Sequence, residues 1–190
     1  MLRGEVAGLR AREDGDVPIL HAELYDDVAT RVRSDSRPWR PIPAGAAYSP
    51  LQVKDPAEDT AAFSVVHLAS GELAGDALMW DIDLHNRSAH LGISLRPGFR
   101  GRGLGTDAVR VLCGYGFAIL GLQRLQAETL ADNAAMIAVA TRAGFVAEGS
   151  LRRAAWVNGR FADLVILGML AADWHPGQPP PSGPSGPSSR

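Results

Sequence analysis

The residues best placed to do chemistry are three glycines and two arginines near the middle of the chain. Residues 100–106 read Arg100, Gly101, Arg102, Gly103, Leu104, Gly105 and Thr106. A glycine loop that leads from a strand into a helix leaves amide N–H groups unpaired, and the helix dipole adds partial positive charge there. Glycines let a ligand approach the main chain, and arginines pair with phosphate oxygens. The run therefore predicts a phosphate or pyrophosphate site, with a plain tight turn as the alternative.

Two common nucleotide-binding motifs do not fit this run. A dinucleotide fold requires the spacing Gly-x-Gly-x-x-Gly, whereas the spacing here is Gly-x-Gly-x-Gly, although Glu128 lies where a ribose ligand is expected. A Walker loop requires Lys followed by Ser or Thr after the glycines, and that pair is absent. The five histidines show no ligand spacing with one another or with carboxylates, so we expect no metal site.

Hydrophobic patterning predicts the strands that position the run. They are expected at residues 6–10, 62–68, 73–82, 89–95 and 125–129. Short turns join the three central strands, which predicts an antiparallel meander. A helix that starts at Thr106 and stops near Gly121 then makes a crossover. The strand at residues 125–129 should therefore run parallel to the strand that ends at Leu95.

The helix after the glycine run should pack against this sheet. Its predicted apolar stripe consists of Ala108, Leu112, Tyr115 and Ile119. Cys113 lies in the same apolar pattern and, as the only cysteine, cannot form an intrachain disulfide. We interpret it as a buried structural thiol rather than a nucleophile.

Capping residues predict two further helices. Asp16 is a candidate N-cap for a helix near the start of the chain. Asp132 or Asn133 is expected to cap a helix at residues 134–143, and Gly144 should end it. The last strands are expected at residues 145–147, 154–157 and 161–167.

The stretch at residues 36–50 is irregular because it contains four prolines. It also carries the aromatic residues Trp39 and Tyr48. Two interpretations are open, a surface connection or a loop that covers a binding cleft.

The overall composition is that of a soluble globular protein, with 46% hydrophobic and 21% charged residues. A net charge of -2 and a pI near 6.2 give no electrostatic reason to expect nucleic acid or an anionic membrane as partner. The sequence shows neither an apolar span nor a signal-peptide pattern, so we expect a cytoplasmic protein. Residues 1–172 are expected to form one domain, and residues 173–190, rich in Pro, Gly and Ser, a flexible tail.

The glycine run resembles the signature of the GNAT superfamily of N-acetyltransferases. Arg100, Gly103 and Gly105 match its pattern Arg/Gln-x-x-Gly-x-Gly/Ala. The similarity continues with Asn133, Gly144-Phe145, Glu148-Gly149-x-Leu151-Arg152 and Asn158-Gly159-Arg160-x-x-Asp163. This series resembles the Rim-type branch of ribosomal-protein, spermidine and antibiotic acetyltransferases. The resemblance implies an α/β (α+β) fold with a mixed, mostly antiparallel central sheet, splayed strands 4 and 5, and flanking helices.

The resemblance also implies acetyl-CoA as the acyl donor. The loop at residues 100–106 would hold its pyrophosphate with main-chain N–H groups. Ser94 and Leu95 occupy the place where, in the family, the end of the fourth strand bonds the pantetheine arm. Asn133 corresponds to an asparagine that contacts the cofactor, and it is equally suited to be a helix cap. Arg142 either meets the cofactor's phosphate or is simply solvated.

Acetyl transfer needs one group that takes the amine's proton and another that protonates the departing thiolate. Glu128 matches a glutamate that serves as base in some ribosomal-protein acetyltransferases, and a partly buried cleft would strengthen it as a base. A surface carboxylate is the alternative. His90 on the preceding strand is a second candidate base. Met136 and Ala140 replace the family's usual thiolate donors, which leaves Ser94 or a water.

We therefore expect an N-acetyltransferase that moves an acetyl group to a primary amine of a protein N-terminus, a polyamine, or a small metabolite or antibiotic. A cationic acceptor would be favoured if the cleft is lined by the carboxylates Asp81, Asp83, Glu128 and Asp132. The alternative is a catalytically weak or inactive acyl-CoA-binding sensor or partner module. A homodimer, common among relatives, is a possible assembly.

Overall fold

The computed structural model describes residues 1–34 and 37–175 of the 190-residue chain. Within these residues, eight strands form one sheet. The strands are β1 (Leu2–Arg3), β2 (Ala7–Ala11), β3 (Thr60–His67), β4 (Leu73–Asp83), β5 (Ser88–Leu95), β6 (Arg124–Leu130), β7 (Val146–Val157) and β8 (Arg160–Leu170). The α-helices are α1 (Asp16–Leu20), α2 (Val28–Ser34), α3 (Leu104–Gly114) and α4 (Ala134–Ala143). Turns of π-helix extend α1 over His21–Tyr25 and α3 over Tyr115–Ile119, and 3-10 turns lie at Pro97–Phe99 and Ala171–Asp173.

The sheet is mixed and mostly antiparallel, as predicted. The strand order is β1-β2-β3-β4-β5-β6-β8-β7, and only β5 and β6 run parallel among these neighbours. The crossover through α3 that joins them is confirmed. The pair expected to splay as strands 4 and 5 is β5 and β6 here, because patterning missed the two-residue β1, which pairs Leu2 with Leu9.

The parallel contact between β5 and β6 is short. Its register runs only from the pair Ser88 and Arg124 to the pair His90 and Gln126. Residues 91–95 of β5 have no partner on β6, whereas β6 pairs with β8 along its whole length. The two strands therefore diverge after His90 and leave a gap that widens toward the end of β5.

The predicted apolar stripe of α3 is correct at its start and wrong at its end. Ala108 and Leu112 are fully buried and Tyr115 is half-buried, but Ile119 is 61% exposed. The α-helix ends before Tyr115 and a wider π-helical turn follows, so later side chains rotate away from the predicted face. Cys113 is buried, and burial raises the pKa of its thiol to about 12, as expected for a structural thiol.

The C-terminal hairpin is more continuous than predicted. β7 is one strand with two register shifts, where patterning predicted separate strands at residues 145–147 and 154–157. Its side chains are almost all exposed, so the apolar alternation that marks a strand is missing. Asn158 and Gly159, both with positive φ, form the predicted turn to β8.

The described part of the proline-rich stretch is anchored at Trp39 and exposed at Tyr48. The indole Nε1 of Trp39 donates to the carbonyl of Tyr25 at 3.1 Å, and the two rings lie 6.3 Å apart. Tyr48 is 73% exposed. The part of the stretch around Tyr48 is therefore a surface connection. That the part around Trp39 covers a binding cleft stays a prediction. Ser36 lies outside the described residues.

Packing continues past the expected end of the domain at residue 172. Trp174 lies against Phe117 with ring centroids 5.6 Å apart and contacts the main apolar core. Residues 176–190, most of the expected tail, lie outside the described residues. None of the helices in residues 1–34 and 37–175 has the length and apolar character that a membrane span requires.

Asp16 does not cap α1, contrary to the sequence-based expectation. The N-cap is Gly15, which offers no side-chain hydrogen bond. Asp16 is only 5% exposed, and its carboxylate accepts bonds from Arg10 at 2.6 and 2.7 Å and from the hydroxyl of Ser64 at 2.7 Å. Because a buried carboxylate needs charged or polar partners, it joins α1 to β2 and β3 instead.

We predict that the ion pair between Arg10 and Asp16 makes the free energy of unfolding depend on pH in the acidic range. Burial raises the pKa of Asp16, but the hydrogen bonds from Arg10, the Glu13 amide and Ser64 together outweigh burial and lower the pKa to about 2. With a folded pKa below the unfolded one, the stabilisation is present above the unfolded value of 3.8 and is lost as pH falls toward 2. Asp16→Asn should therefore lose about 2 kcal/mol of pH-dependent unfolding free energy, measured by urea titration at pH 6 and pH 2.

The exposed Asp14 provides the control for this prediction. Asp14→Asn should change the unfolding free energy by a similar small amount at both pH values, because its carboxylate has no hydrogen bond among the described residues. A difference between Asp16→Asn and the parent that stays constant from pH 6 to pH 2 would contradict the assignment.

Candidate active site

The gap between β5 and β6 has a helix side and an opposite side. Gly105 at the start of α3 faces Ile93 and Leu95, because a methyl group built on it would lie 3.4 and 3.7 Å from their terminal carbons. Strand side chains alternate, so Ser94 faces the opposite side. Ser94 is half-buried, and its hydroxyl has no hydrogen bond among the residues that the structure describes.

The glycine loop ends directly in α3. Gly101 and Gly103 have φ of +74° and +81°, a backbone conformation that residues other than glycine rarely adopt. The helix begins at Leu104, two residues earlier than predicted, and Gly103 is its N-cap. The first bond of the helix is from the Asp107 amide to the Gly103 carbonyl at 3.2 Å.

The amides of the loop are left unpaired. Among residues 1–34 and 37–175, the N–H groups of residues 101–106 make no hydrogen bond to the protein. Unpaired N–H groups at the start of an eleven-residue helix are suited to binding an anion, which stays a prediction here. This arrangement is what the glycine pattern predicts.

The two loop arginines are held by protein contacts. Arg100 Nε donates to the Leu95 carbonyl at 2.9 Å, which fixes the loop to the end of β5. The guanidinium of Arg102 lies over the ring of Phe99, 5.7 Å from its centroid. Contacts of either arginine with phosphate remain a prediction.

Gly105 lets three elements meet. A methyl group there would lie 3.2 Å from Val139 on α4, which is a tight contact, and 3.4 Å from Ile93 on β5, at the limit of ordinary contact. The third glycine of the run is therefore explained by close packing of α3 against α4 and β5. This packing brings the start of α3 beside the gap.

Asn133 is the N-cap of α4. Its Oδ1 accepts from the Met136 amide at 3.2 Å, and its Nδ2 donates to the Thr129 hydroxyl at 2.9 Å. The structure therefore shows the cap that the sequence predicted, and a cofactor contact stays a prediction. Arg142 is exposed in the last turn of α4, where its carbonyl accepts a bond from Arg110 at 3.1 Å.

The two candidate bases share one face of the sheet, away from α3. His90 is half-buried, stacks on Trp80 at 5.6 Å, and pairs in register with Gln126 on β6. Glu128 lies two residues beyond Gln126, and its Oε1 accepts from Gln126 Nε2 at 2.9 Å. Glu128 is exposed, so the expected partly buried surroundings are not those in the structure.

An ion pair that the sequence did not reveal lies beside Ser94. Asp76 on β4 pairs in register with Ser94, so the two side chains share a face, and its carboxylate contacts Arg12. Burial raises the pKa of Asp76, and the Arg12 charge opposes that effect. An acidic residue at an otherwise apolar strand position was the available signal.

The four carboxylates expected to favour a cationic acceptor do not lie together. Asp83 pairs with Ser88, so Asp81 and Asp83 lie at the closed end of the gap rather than at its mouth. Asp132 lies at the open end, but Arg33 on α2 already donates to it at 2.6 Å.

A family comparison identifies the kind of domain that contains these residues. The model of the acetyltransferase (GNAT) domain matches residues 8–146 of the chain, which include the glycine loop, the gap and α4. The chain belongs to the GNAT family. Its diverging β5 and β6, and its glycine loop at the start of α3, are thus features of a GNAT domain.

Known proteins similar to this GNAT domain include curated acetyltransferases. It is 36% identical over 107 residues to the putative ribosomal N-acetyltransferase YdaF of Bacillus subtilis, covering 56% of this chain and 58% of that protein. It is 30% identical over 97 residues to spermidine N(1)-acetyltransferase of Escherichia coli K12, covering 51% and 52%. The matched region therefore spans little more than half the length of these curated relatives.

Solved structures show the same fold. The crystal structure of a probable acetyltransferase has a TM-score of 0.58 and 32% identity, covering 62% of this chain and 65% of that one. Spermidine N-acetyltransferase from Vibrio cholerae, in complex with CoA and spermine, has a TM-score of 0.71 and 22% identity, covering 88% and 97%. The GNAT fold thus extends over most of the chain.

The two positions where the family resemblance predicts a proton donor hold apolar side chains. Ala140 is fully buried and Met136 packs against the main core. Neither side chain carries a proton that it could donate. In an acetyl transfer, a departing thiolate would need its proton from another group.

Proposed function

We propose that this GNAT domain transfers an acetyl group from acetyl-CoA to a primary amine. The unpaired amides of residues 101–106 carry the proposal, because a diphosphate has the acceptor oxygens that they lack. Arg100 and Arg102 would add positive charge to the same site. Ser94 and Leu95, on the unpaired edge of β5, would bind the pantetheine arm.

Two further residues complete the proposed cofactor site. Asn133 fixes the first turn of α4, so its proposed contact with the cofactor would be made while it caps the helix. The side chain of Arg142 is exposed, and we propose that it binds a phosphate group of the cofactor. Both residues act in addition to the glycine loop.

The chemistry requires two proton transfers. Bound acetyl-CoA supplies an activated acyl group, and only a neutral amine attacks its thioester carbonyl. As the C–N bond forms and the C–S bond breaks, Glu128 takes the amine's proton, and His90 is the alternative base. The Ser94 hydroxyl, or a water, protonates the thiolate in place of the missing donors at Met136 and Ala140.

A non-catalytic acyl-CoA binder is the second candidate. The observation that favours it is the loss of a proton donor at both Met136 and Ala140. Such a protein would bind acetyl-CoA as a sensor or partner module. The two candidates share the cofactor site, so binding alone does not separate them.

The acceptor is proposed only as a class. The similar proteins are a putative ribosomal N-acetyltransferase and a spermidine N(1)-acetyltransferase, and one structure of the spermidine N-acetyltransferase from Vibrio cholerae is dodecameric. We propose a small-molecule or peptide amine as acceptor and keep the homodimer as a prediction. One acetyltransferase domain, expected over residues 1–172 and with Trp174 packed on its core, is proposed as the functional unit.

Release of free CoA thiol in the presence of different amines tests the proposal. We expect release that depends on an amine, with a panel of spermidine, an aminoglycoside, an amino acid amide and peptides with free N-termini. Tight binding of CoA with no amine-dependent release across the panel would favour the binder. No heat of binding with CoA would contradict both candidates.

A further inference from the structure

A ladder of polar side chains crosses the sheet from β7 to Glu128. Glu148 on β7 accepts two bonds from Arg124 on β6, one of them from Nη1 at 2.8 Å. Arg124 Nη2 also donates to Gln126 Oε1 at 3.0 Å. Gln126 Nε2 donates in turn to Glu128 Oε1 at 2.9 Å. We call these four residues the polar ladder.

The strands explain how the polar ladder is assembled. Arg124, Gln126 and Glu128 occupy alternate positions of β6 and therefore share one face of the sheet. Glu148 lies at a register shift of β7, and its side chain reaches that face across β8 above Gly168. A methyl group on Gly168 would overlap the Glu148 carboxylate, so the crossing depends on this glycine.

The polar ladder fixes which way the Gln126 amide points. Because the guanidinium of Arg124 can only donate, it holds Oε1 of Gln126, and the amide NH₂ group is left to face Glu128. Glu148 holds the guanidinium with two bonds, and the hydrogen bond from Arg124 lowers the pKa of Glu148. Without this hold the amide can turn over and present its oxygen to the carboxylate, which it would repel.

The stability of the fold gives no sufficient reason for this arrangement. The side chains of Arg124 and Glu148 are 32% and 36% exposed, and ion pairs that exposed contribute little to folding. The polar ladder ends on a carboxylate that lies beside the position paired with His90, where β5 and β6 begin to diverge. The polar ladder therefore orients a carboxylate at the gap between β5 and β6.

We infer that Arg124, Gln126 and Glu148 are positioning residues that orient the Glu128 carboxylate toward the acceptor amine. The inference rests on the proposed function, in which Glu128 takes the amine's proton. It assigns to β7 and β8, which contribute no other proposed site residue, a part in the reaction. Gly168 supports the polar ladder because the absence of a side chain there leaves room for Glu148.

Gly168→Ala tests the inference without removing a charge. The added methyl should displace the flexible end of Glu148 and release Arg124, so kcat for acetyl transfer should fall about tenfold with KM for acetyl-CoA unchanged. Gly149→Ala on β7 is the matched control, because a methyl group there meets no atom within 4 Å. It should leave kcat unchanged.

Glu148→Gln gives an independent route to the same effect. It should also lower kcat about tenfold, and the double variant with Gly168→Ala should be no slower than either single one, because both break the same contact. Parent-like kcat in both single variants, or a double variant whose loss is the product of the two, would overturn the inference. A parent with no amine-dependent turnover would instead count against the proposed function.

A second readout does not require turnover. The two side-chain amide protons of Gln126 should have distinct, shifted NMR resonances, identified by their loss in Gln126→Leu. In Gly168→Ala and Glu148→Gln these resonances should move, and in Gly149→Ala they should stay. Resonances that are the same in all three variants and the parent would show that the polar ladder does not hold Gln126, and the inference would fail even for an inactive protein.

Discussion

Replacing Glu128 with glutamine is expected to lower kcat for acetyl transfer by about 100-fold or more, with KM for acetyl-CoA unchanged. The amide keeps the shape of the side chain and can still accept the bond from Gln126, but it cannot take a proton. Steady-state thiol release, measured with a saturating amine, reads out the change directly. A ground-state contact would instead appear in KM.

Glu58→Gln is the control for that experiment. Glu58 is exposed and precedes β3 at the end of the sheet away from the mouth of the gap, so its loss removes the same charge without touching the proposed site. We expect no change in kcat. If Glu128→Gln retains parent activity while His90→Gln loses it, His90 is the base and our assignment of Glu128 is wrong.

Replacing Gly103 with alanine is expected to weaken CoA binding by about 100-fold. The φ of +81° strains any residue with a Cβ, so the loop should relax to another conformation and turn its amides away from the diphosphate. Loss of two charge-assisted hydrogen bonds, each worth roughly 1.5 kcal/mol or more, gives a change of this size. Calorimetric titration of CoA measures it.

Gly159→Ala separates this effect from backbone strain in general. Gly159 lies in the turn between β7 and β8 with φ of +83°, and a methyl group there, as at Gly103, meets no atom within 4 Å. Both variants should lose similar stability, measured by thermal unfolding, but only Gly103→Ala should lose CoA affinity. Equal affinity in the two variants would show that the loop amides do not hold the cofactor.

Local patterns were sufficient to predict most of the fold. The strands of the meander and the helix at residues 134–143 were predicted closely, because apolar alternation and capping residues mark them in the sequence. The glycine run was predictive for the same reason, since the positive φ of Gly103 and the close packing at Gly105 both favour glycine. Such requirements act between near neighbours in the chain.

Features that depend on distant neighbours could not be predicted. Asp16 reads as a cap in the sequence, but its partner Ser64 lies on β3 and decides its actual role. Ile119 was missed for a different, local reason: helical spacing predicts it in the core, but a π-helical turn that this spacing does not indicate rotates it outward. The path of Glu148 across β8 depends on a register shift in an exposed strand, where hydrophobic patterning carries no signal.

The short contact between β5 and β6 has a mechanical consequence. Three residue pairs join a half-sheet of five strands to a half-sheet of three, so along most of the junction the halves have no shared main-chain bonds. A pantetheine arm lying in that opening would act as a substitute strand and tie the halves together. Amide exchange at the junction should then slow when the acyl donor binds, and each release of product should loosen it again.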